Sequence, residues 1–252
     1  MRLVERITAE GQRLFRLRSV APLVLAPLLF LALMQMAQFE LKWGEAVEDV
    51  WLVFCLCISV VGVALRCATV GFVPSGTSGR GRGTPSAAVL NRLGMYSVVR
   101  NPLYLANGIM WLGVALSTTS ILFAAVTALM YWLYIERVIS AEEEFLVQRF
   151  GDGYREWVGQ TPCFLPRFSQ WRSPQMSFSV RSVLRREYPA LIALGVAFTL
   201  VEVVSDVLLE GEPWRSWLVT DRGWVFFFAI TVLAGLGIRL LKKLHWLDAE
   251  GR

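Results

Sequence analysis

The amino-acid sequence predicts an all-α fold: a polytopic integral membrane protein of about six transmembrane helices with both termini in the cytoplasm. Three observations carry this expectation. Of 252 residues, 55% are apolar and 18% charged, and mean hydropathy is +0.51. These values exclude a disordered chain and argue against an ordinary soluble domain. The apolar residues gather into six runs, each near the roughly 20 helical residues that cross a hydrocarbon core. Finally, 22 of the 25 Lys and Arg fall on one side of those runs.

Taken in chain order, residues 1–18 place Leu3, Ile7, Leu14 and Phe15 at helical spacing with arginines between them. That pattern suits a helix lying on the inner membrane face, or a plain orientation signal. Span one is Val20 to Ala37, a long apolar run with no clear small-x-small cleavage site after it, so a cleaved signal peptide is not expected. Val50 to Ala64 forms span two, Leu103 to Ser117 span three and Ile121 to Ile135 span four. Each of these three reaches spanning length only with its less apolar flanks. After a long polar stretch, Pro189 to Leu209 and Trp224 to Leu241 form spans five and six. Glu202 and Asp206 lie one helical turn apart inside span five. A charge buried there is costly, so both should face the bundle, water or the outer interface.

The basic residues are mostly arginine, the lysines being Lys42, Lys242 and Lys243; the skew fits a GC-rich bacterial genome. With the N-terminus inside, only Lys42, Arg215 and Arg222 lie outside, as the positive-inside rule requires. The net charge of +5 then reflects topology and attraction to anionic lipid, and no nucleic-acid partner is expected. Cys55, Cys57, Cys67 and Cys163 sit in or beside span two or in the cytosol, so no secreted disulfide framework is indicated. Three segments follow: 1–75 with the N-terminal helix and two spans, 76–170 with the hairpin of spans three and four and its cytoplasmic loops, and 171–252 with a linker and two further spans.

The unusual polar sequence concentrates in the middle segment. Gly76-Thr77-Ser78-Gly79-Arg80-Gly81-Arg82-Gly83 could cradle a phosphate or serve as a flexible basic loop. It lacks the strand and the Gly-Lys-Ser/Thr ending of a nucleotide loop, and no Gly-x-Gly-x-x-Gly follows a strand. Gly94-x-Tyr96 and Arg100-Asn101-Pro102-x-Tyr104 lead into span three, with Pro102 suited to a first helical turn. Arg and Tyr there can also act as snorkelling and interface residues. Beyond span four come Glu142-Glu143-Glu144, Phe150-Gly151-x-x-Tyr154 and Pro162 to Pro166. The short, uncharged turn at Ser117 to Ser120 makes spans three and four a tight hairpin, which brings both polar segments to one cytoplasmic mouth.

Together these elements resemble the integral-membrane methyltransferases of the isoprenylcysteine carboxyl methyltransferase type, a superfamily that includes phospholipid N-methyltransferases and bacterial lipid methyltransferases. The resemblance covers about residues 76–167. Asn101 stands where that pattern usually has His, and Ala106 where it has Gly; Asn can hydrogen-bond a cofactor but carries no proton at neutral pH. The resemblance implies S-adenosylmethionine as cofactor, lined by Tyr96, Asn101, Pro102, Tyr104, Glu142 and Glu143, with Arg100 facing the methyl acceptor and Arg167 contributing charge. It implies methyl transfer to an anionic membrane-lipid headgroup, because a phosphate oxygen is already ionised and needs only orientation by Arg. The Gly-Thr-Ser-Gly-Arg and Ala-Glu-Glu-Glu-Phe segments resemble those of bacterial lipid A 1-phosphate O-methyltransferases, which points to the bacterial inner membrane with the site facing the cytoplasm. Phosphatidylethanolamine N-methylation, prenylcysteine-type carboxyl methylation and an inactive membrane scaffold remain open. No metal is expected in the site. For spans five and six the sequence offers packing, a homodimer contact or a lipid-facing wall.

Overall fold

The computed structural model describes residues 3–17, 24–74, 77 and 87–248. Among them there is no β-strand. Helix α1 (Leu3–Leu17) is followed by α2 (Ala26–Trp43) and α3 (Glu45–Val70), and a one-turn helix α4 (Met95–Val98) precedes α5 (Pro102–Ser117). Then come α6 (Ile121–Phe150), α7 (Asp152–Gln160), α8 (Val180–Glu202), α9 (Trp214–Thr220) and α10 (Arg222–Lys243). The chain continues from α8 into a π-helical segment, Val203–Leu209.

The boundaries follow local chemistry. Pro102 opens α5, where its missing N–H leaves no gap. The Ser120 hydroxyl accepts from Phe123 N at 3.3 Å and caps α6, and Ser179 caps α8 in the same way through Ser182 N at 3.2 Å. Gly151, at φ +55°, turns the chain from α6 into α7 in a conformation that favours glycine.

Among the described residues the predicted runs fall in helices, but four of these are long and apolar enough to cross a membrane: α3, α6, α8 with its π continuation, and α10. Those four make this an integral membrane protein. The expected span three is α5, held to 16 residues by Pro102 at one end and the Ser117–Ser120 turn at the other. At 1.5 Å per residue it covers about 24 Å of a core about 30 Å thick. The expected span one is α2, of 18 residues, and the start of its apolar run lies outside the described residues. Span four is much longer than its hydropathy indicates, because α6 continues without a break from Ile135 through the three glutamates to Phe150. Span five begins at Val180, before Pro189, which the helix accommodates in its interior.

Neighbouring helices run antiparallel. Trp51 Nε1 donates to Leu116 O at 2.9 Å near the start of α3 and the end of α5, and Ser59 Oγ donates to Met110 O at 2.9 Å one level on. This pair is close because its contact face is built from small residues, as helices in lipid require. A Cβ on Gly113 would meet the Cys55 carbonyl, and one on Gly62 would meet the Ala106 carbonyl. Gly113→Leu is therefore expected to force α3 and α5 apart and to destabilise the protein by about 1–3 kcal/mol. A lowered thermal midpoint in detergent checks this, with Gly159→Ala, which meets nothing within 4 Å, as the neutral comparison.

A core of Met36, Leu52, Phe198, Trp217 and Trp224 ties α2, α3, α8, α9 and α10 together. Helix α1 packs along the second half of α6, where Thr8 and Ser140 share a 3.0 Å hydrogen bond and Arg137 reaches Glu10 at 3.1 Å. The alternation of helices leaves the motif residues at one end of the bundle, the basic end. Glu45, Glu48, Glu202, Asp206 and Asp221 gather at the other.

Candidate active site at the basic end of the bundle

The site is built on a short irregular stretch between α4 and α5. Gly94, at φ +60°, starts α4, and Val99 is extended at φ −152°. The Pro-rich segment after α7 runs alongside and fixes this stretch through the backbone. Arg100 N donates to Pro162 O and Arg167 N to Val98 O, both at 2.9 Å. Asn101 Nδ2 donates to Cys163 O at 3.2 Å, so Asn101 orients the same segment. Gly94 N donates to Arg172 O at 2.9 Å, and Arg172 N returns a bond to Ser97 Oγ at 2.9 Å.

Above this clamp, α6 brings its glutamates over the start of α5. Arg100 Nη1 donates to Glu143 Oε1 at 2.6 Å, and Tyr104 OH donates to Glu142 Oε1 at 2.8 Å. Tyr131 OH donates to Tyr104 O at 2.6 Å and locks α5 to α6. Buried Tyr154 lies beside both Glu143 and Arg100. Burial pushes the Tyr96 phenol up to about 12, with the Arg186 charge opposing; at neutral pH it is an uncharged donor. Burial likewise raises the Cys163 thiol, so it is no ready nucleophile. The Arg100 Nε is buried and has no hydrogen-bond partner among the described residues. An orphaned guanidinium N–H is costly, and its natural complement is an anionic oxygen.

Beneath lies a second polar layer. Arg66 of α3 forks onto Glu187 of α8, with Nε to Oε2 at 2.6 Å and Nη2 to Oε1 at 3.3 Å. Its third nitrogen donates to Asn107 Oδ1 of α5. The pair is deeply placed, with side-chain exposures of 14% and 4%.

Beside the Arg100–Glu143 pair opens a cavity of about 730 Å³. Trp132, Ile135, Ile139 and Phe164 give it apolar walls, while Glu136, Glu143 and Glu144 supply charge. Thr8 on α1 closes one side.

Tyr96, Arg100, Asn101, Pro102, Tyr104, Glu142 and Glu143 thus converge on one end of the α5–α6 hairpin. Arg167 does not join them through its side chain: that side chain is exposed, and only its backbone is engaged, because the Pro-rich segment is bound by its main chain. Arg80 and Arg82, with most of the glycine-rich loop, lie outside the described residues. Tyr154 is a site residue that the sequence reading quoted as part of a motif without giving it a role. Tyr131 and the Arg66–Glu187–Asn107 layer were not marked at all. Arg66 lies just past the apolar run Val50 to Ala64, where an arginine looks like an ordinary inner-face residue.

Residues 81–153 match the phospholipid methyltransferase family. The matched stretch holds α4, α5 and α6 with the Arg100–Glu143 and Tyr104–Glu142 pairs, and it supports a place in the membrane methyltransferase superfamily. Two curated relatives are similar over part of their length. The chain is 34% identical over 158 residues to the cobalt-zinc-cadmium resistance protein CzcN of Cupriavidus metallidurans, covering 62% of this chain and 64% of that one. It is 33% identical over 127 residues to the nickel-cobalt-cadmium resistance protein NccN of Alcaligenes xylosoxydans, covering 50% and 57%. The chain therefore spans about three-fifths of the relatives it matches. No solved structure matches.

Proposed function

We propose that the protein transfers a methyl group from S-adenosylmethionine to the headgroup of a membrane lipid, at the cytoplasmic face of a bacterial inner membrane. The observation that carries this reading is the half-buried group of Arg100, Glu143, Tyr104 and Glu142 at the mouth of the α5–α6 hairpin, inside the segment that matches the phospholipid methyltransferases.

The residues fit the cofactor. The unpartnered Arg100 Nε is left for an anionic oxygen of the acceptor, while the carboxylates suit both the ribose hydroxyls and the sulfonium charge of the cofactor. Tyr96, Asn101, Pro102, Tyr104, Glu142 and Glu143 would hold it. When bound, S-adenosylmethionine supplies an electrophilic methyl carbon. The chain's own work is then to hold an unprotonated nucleophile in line with that carbon and to keep water out. Arg100, already gripped by Glu143, orients an acceptor oxygen. Trp132, Ile139 and Phe164 give the cavity the apolar wall a lipid needs.

A lipid phosphate, as in lipid A, is the preferred acceptor, because it needs orientation and no deprotonation. An amine headgroup is the second reading, favoured by Glu136, Glu143 and Glu144 in the cavity lining: a carboxylate can attract an ammonium and take its proton. Purified protein given methyl-labelled S-adenosylmethionine and total membrane lipid is expected to place label in the lipid fraction, on phosphate monoesters. Label on amine headgroups alone would select the second reading. Protein that neither binds the cofactor nor labels any lipid would remove both.

A further inference from the structure

At the end of the bundle opposite the candidate active site lies a second cavity, of about 380 Å³. Eight of its eleven lining residues are Asp or Glu, and none is Lys, Arg or His. Its ligand-bearing floor comes from three places: Glu202 at the end of α8, Asp206 in the π-helical segment, and Asp221 just before α10. One carboxylate oxygen from each lies within 4.8 Å of the other two.

Acidic residues crowd many protein surfaces without binding anything, so the decisive feature is Glu202. Its side chain is only 4% exposed. It lines the cavity, and its Oε1 is buried without a hydrogen-bond partner among the described residues. A carboxylate taken out of water in that state, beside other carboxylates, calls for a cation or a proton. The other two ligands are held in place by neighbours. Trp217 Nε1 donates to Asp206 Oδ2 at 2.9 Å, and Thr220 Oγ donates to Asp221 Oδ2 at 2.9 Å. The backbone is shaped for the same purpose: the π-helical segment Val203–Leu209 widens the helix where Asp206 sits, a device frequent at functional sites.

We propose that Glu202, Asp206 and Asp221 bind one divalent metal ion at this end of the protein. Three oxygens spread evenly around one ion at about 2.3–2.6 Å stand about 4.0–4.5 Å apart, so a spacing within 4.8 Å needs less than about 1 Å of closure. Ligands that are all carboxylate oxygen, with no Cys or His, suit a hard ion such as Ca²⁺, Mg²⁺ or Mn²⁺. The site is independent of the methyl-transfer reading, since it shares no residue with that centre.

The full-length protein, purified in detergent and stripped with chelator, is titrated with MnCl₂ while free Mn²⁺ is followed by electron paramagnetic resonance. One ion per chain with half-saturation below about 1 mM is expected, displaced by CaCl₂. Glu202→Gln and Asp221→Asn each weaken binding at least tenfold, whereas Glu143→Gln at the opposite end leaves it unchanged. Asp221 lies outside the membrane-spanning helices, so its variant keeps the test open should Glu202→Gln fail to fold. No saturable binding by the unmodified protein overturns the proposal. So does binding that both variants at this end leave intact, or binding that Glu143→Gln abolishes.

Discussion

Arg100→Ala is expected to lower methyl transfer to lipid by about 10²–10³-fold, the usual cost of removing one preorganised donor from a charge-handling site, while the protein still inserts and binds S-adenosylmethionine. The Arg100 guanidinium is held from more than one side. Its backbone is pinned to Pro162, one terminal nitrogen is fixed by Glu143 at 2.6 Å, and buried Tyr154 lies beside both partners. The side chain is therefore set before any substrate arrives, and its buried Nε has no hydrogen-bond partner among the described residues. Arg100→Lys keeps the charge but loses the fork, so it should restore only a minor part of the activity. Glu143→Gln keeps the shape and removes the charge that fixes Arg100, so its loss should be intermediate. Cofactor binding by equilibrium dialysis, run beside lipid labelling, separates the roles. A fall in turnover at unchanged cofactor affinity places Arg100 on the acceptor. Full activity in Arg100→Ala would remove it from the mechanism.

The sequence exposed those features of the fold that are written locally. Apolar runs mark the helices because lipid demands them, and the uncharged Ser117–Ser120 turn makes the α5–α6 hairpin legible. Tyr96, Arg100, Tyr104, Glu142 and Glu143 could be assigned to one mouth because a hairpin must bring its two open ends together. Contacts between distant helices had no such signature. Arg66 and Glu187 are 121 positions apart, and nothing in either neighbourhood names the other. Arg66 read as one more inner arginine, while Glu187 lay before the apolar run assigned to span five. Helix lengths were misjudged where hydropathy and helicity part company: α6 runs on through Glu142–Glu144 as a polar helix, and α5 stops short at its capping turn. Arg167 carried charge in the sequence, but its segment is held by main-chain bonds that no composition reveals. At the other end, Glu202 and Asp206 were recognisable as costly inside an apolar run. Asp221, which joins them, precedes a different span, and nothing in its neighbourhood ties it to Glu202 or Asp206.

Arg66→Met is expected to be the most destabilising single replacement of a polar side chain in the molecule, at about 3–5 kcal/mol. Glu187 is 4% exposed and takes two of the Arg66 nitrogens. Without Arg66 its carboxylate keeps the desolvation cost and loses the charge that offset it. Asn107 on α5 loses its donor at the same time, so the bonds that tie α3 to both α5 and α8 at one level of the bundle are lost together. The pair's net contribution is another matter, because two charges brought out of water recover little more than they cost. The double variant Arg66→Met with Glu187→Met should therefore recover most of the lost stability, as apolar side chains of similar length fill the space. Thermal unfolding in detergent distinguishes the two cases: a large fall for Arg66→Met, largely reversed in the double variant, gives a strong coupling between the sites. Equal and additive falls would mean that Arg66 acts through something other than Glu187. Methyl transfer in the double variant carries the remaining information. The Arg66 charge bears on Tyr96, so a stable but slowed double variant would show that this buried layer positions the cofactor-side residues as well as holding the helices together.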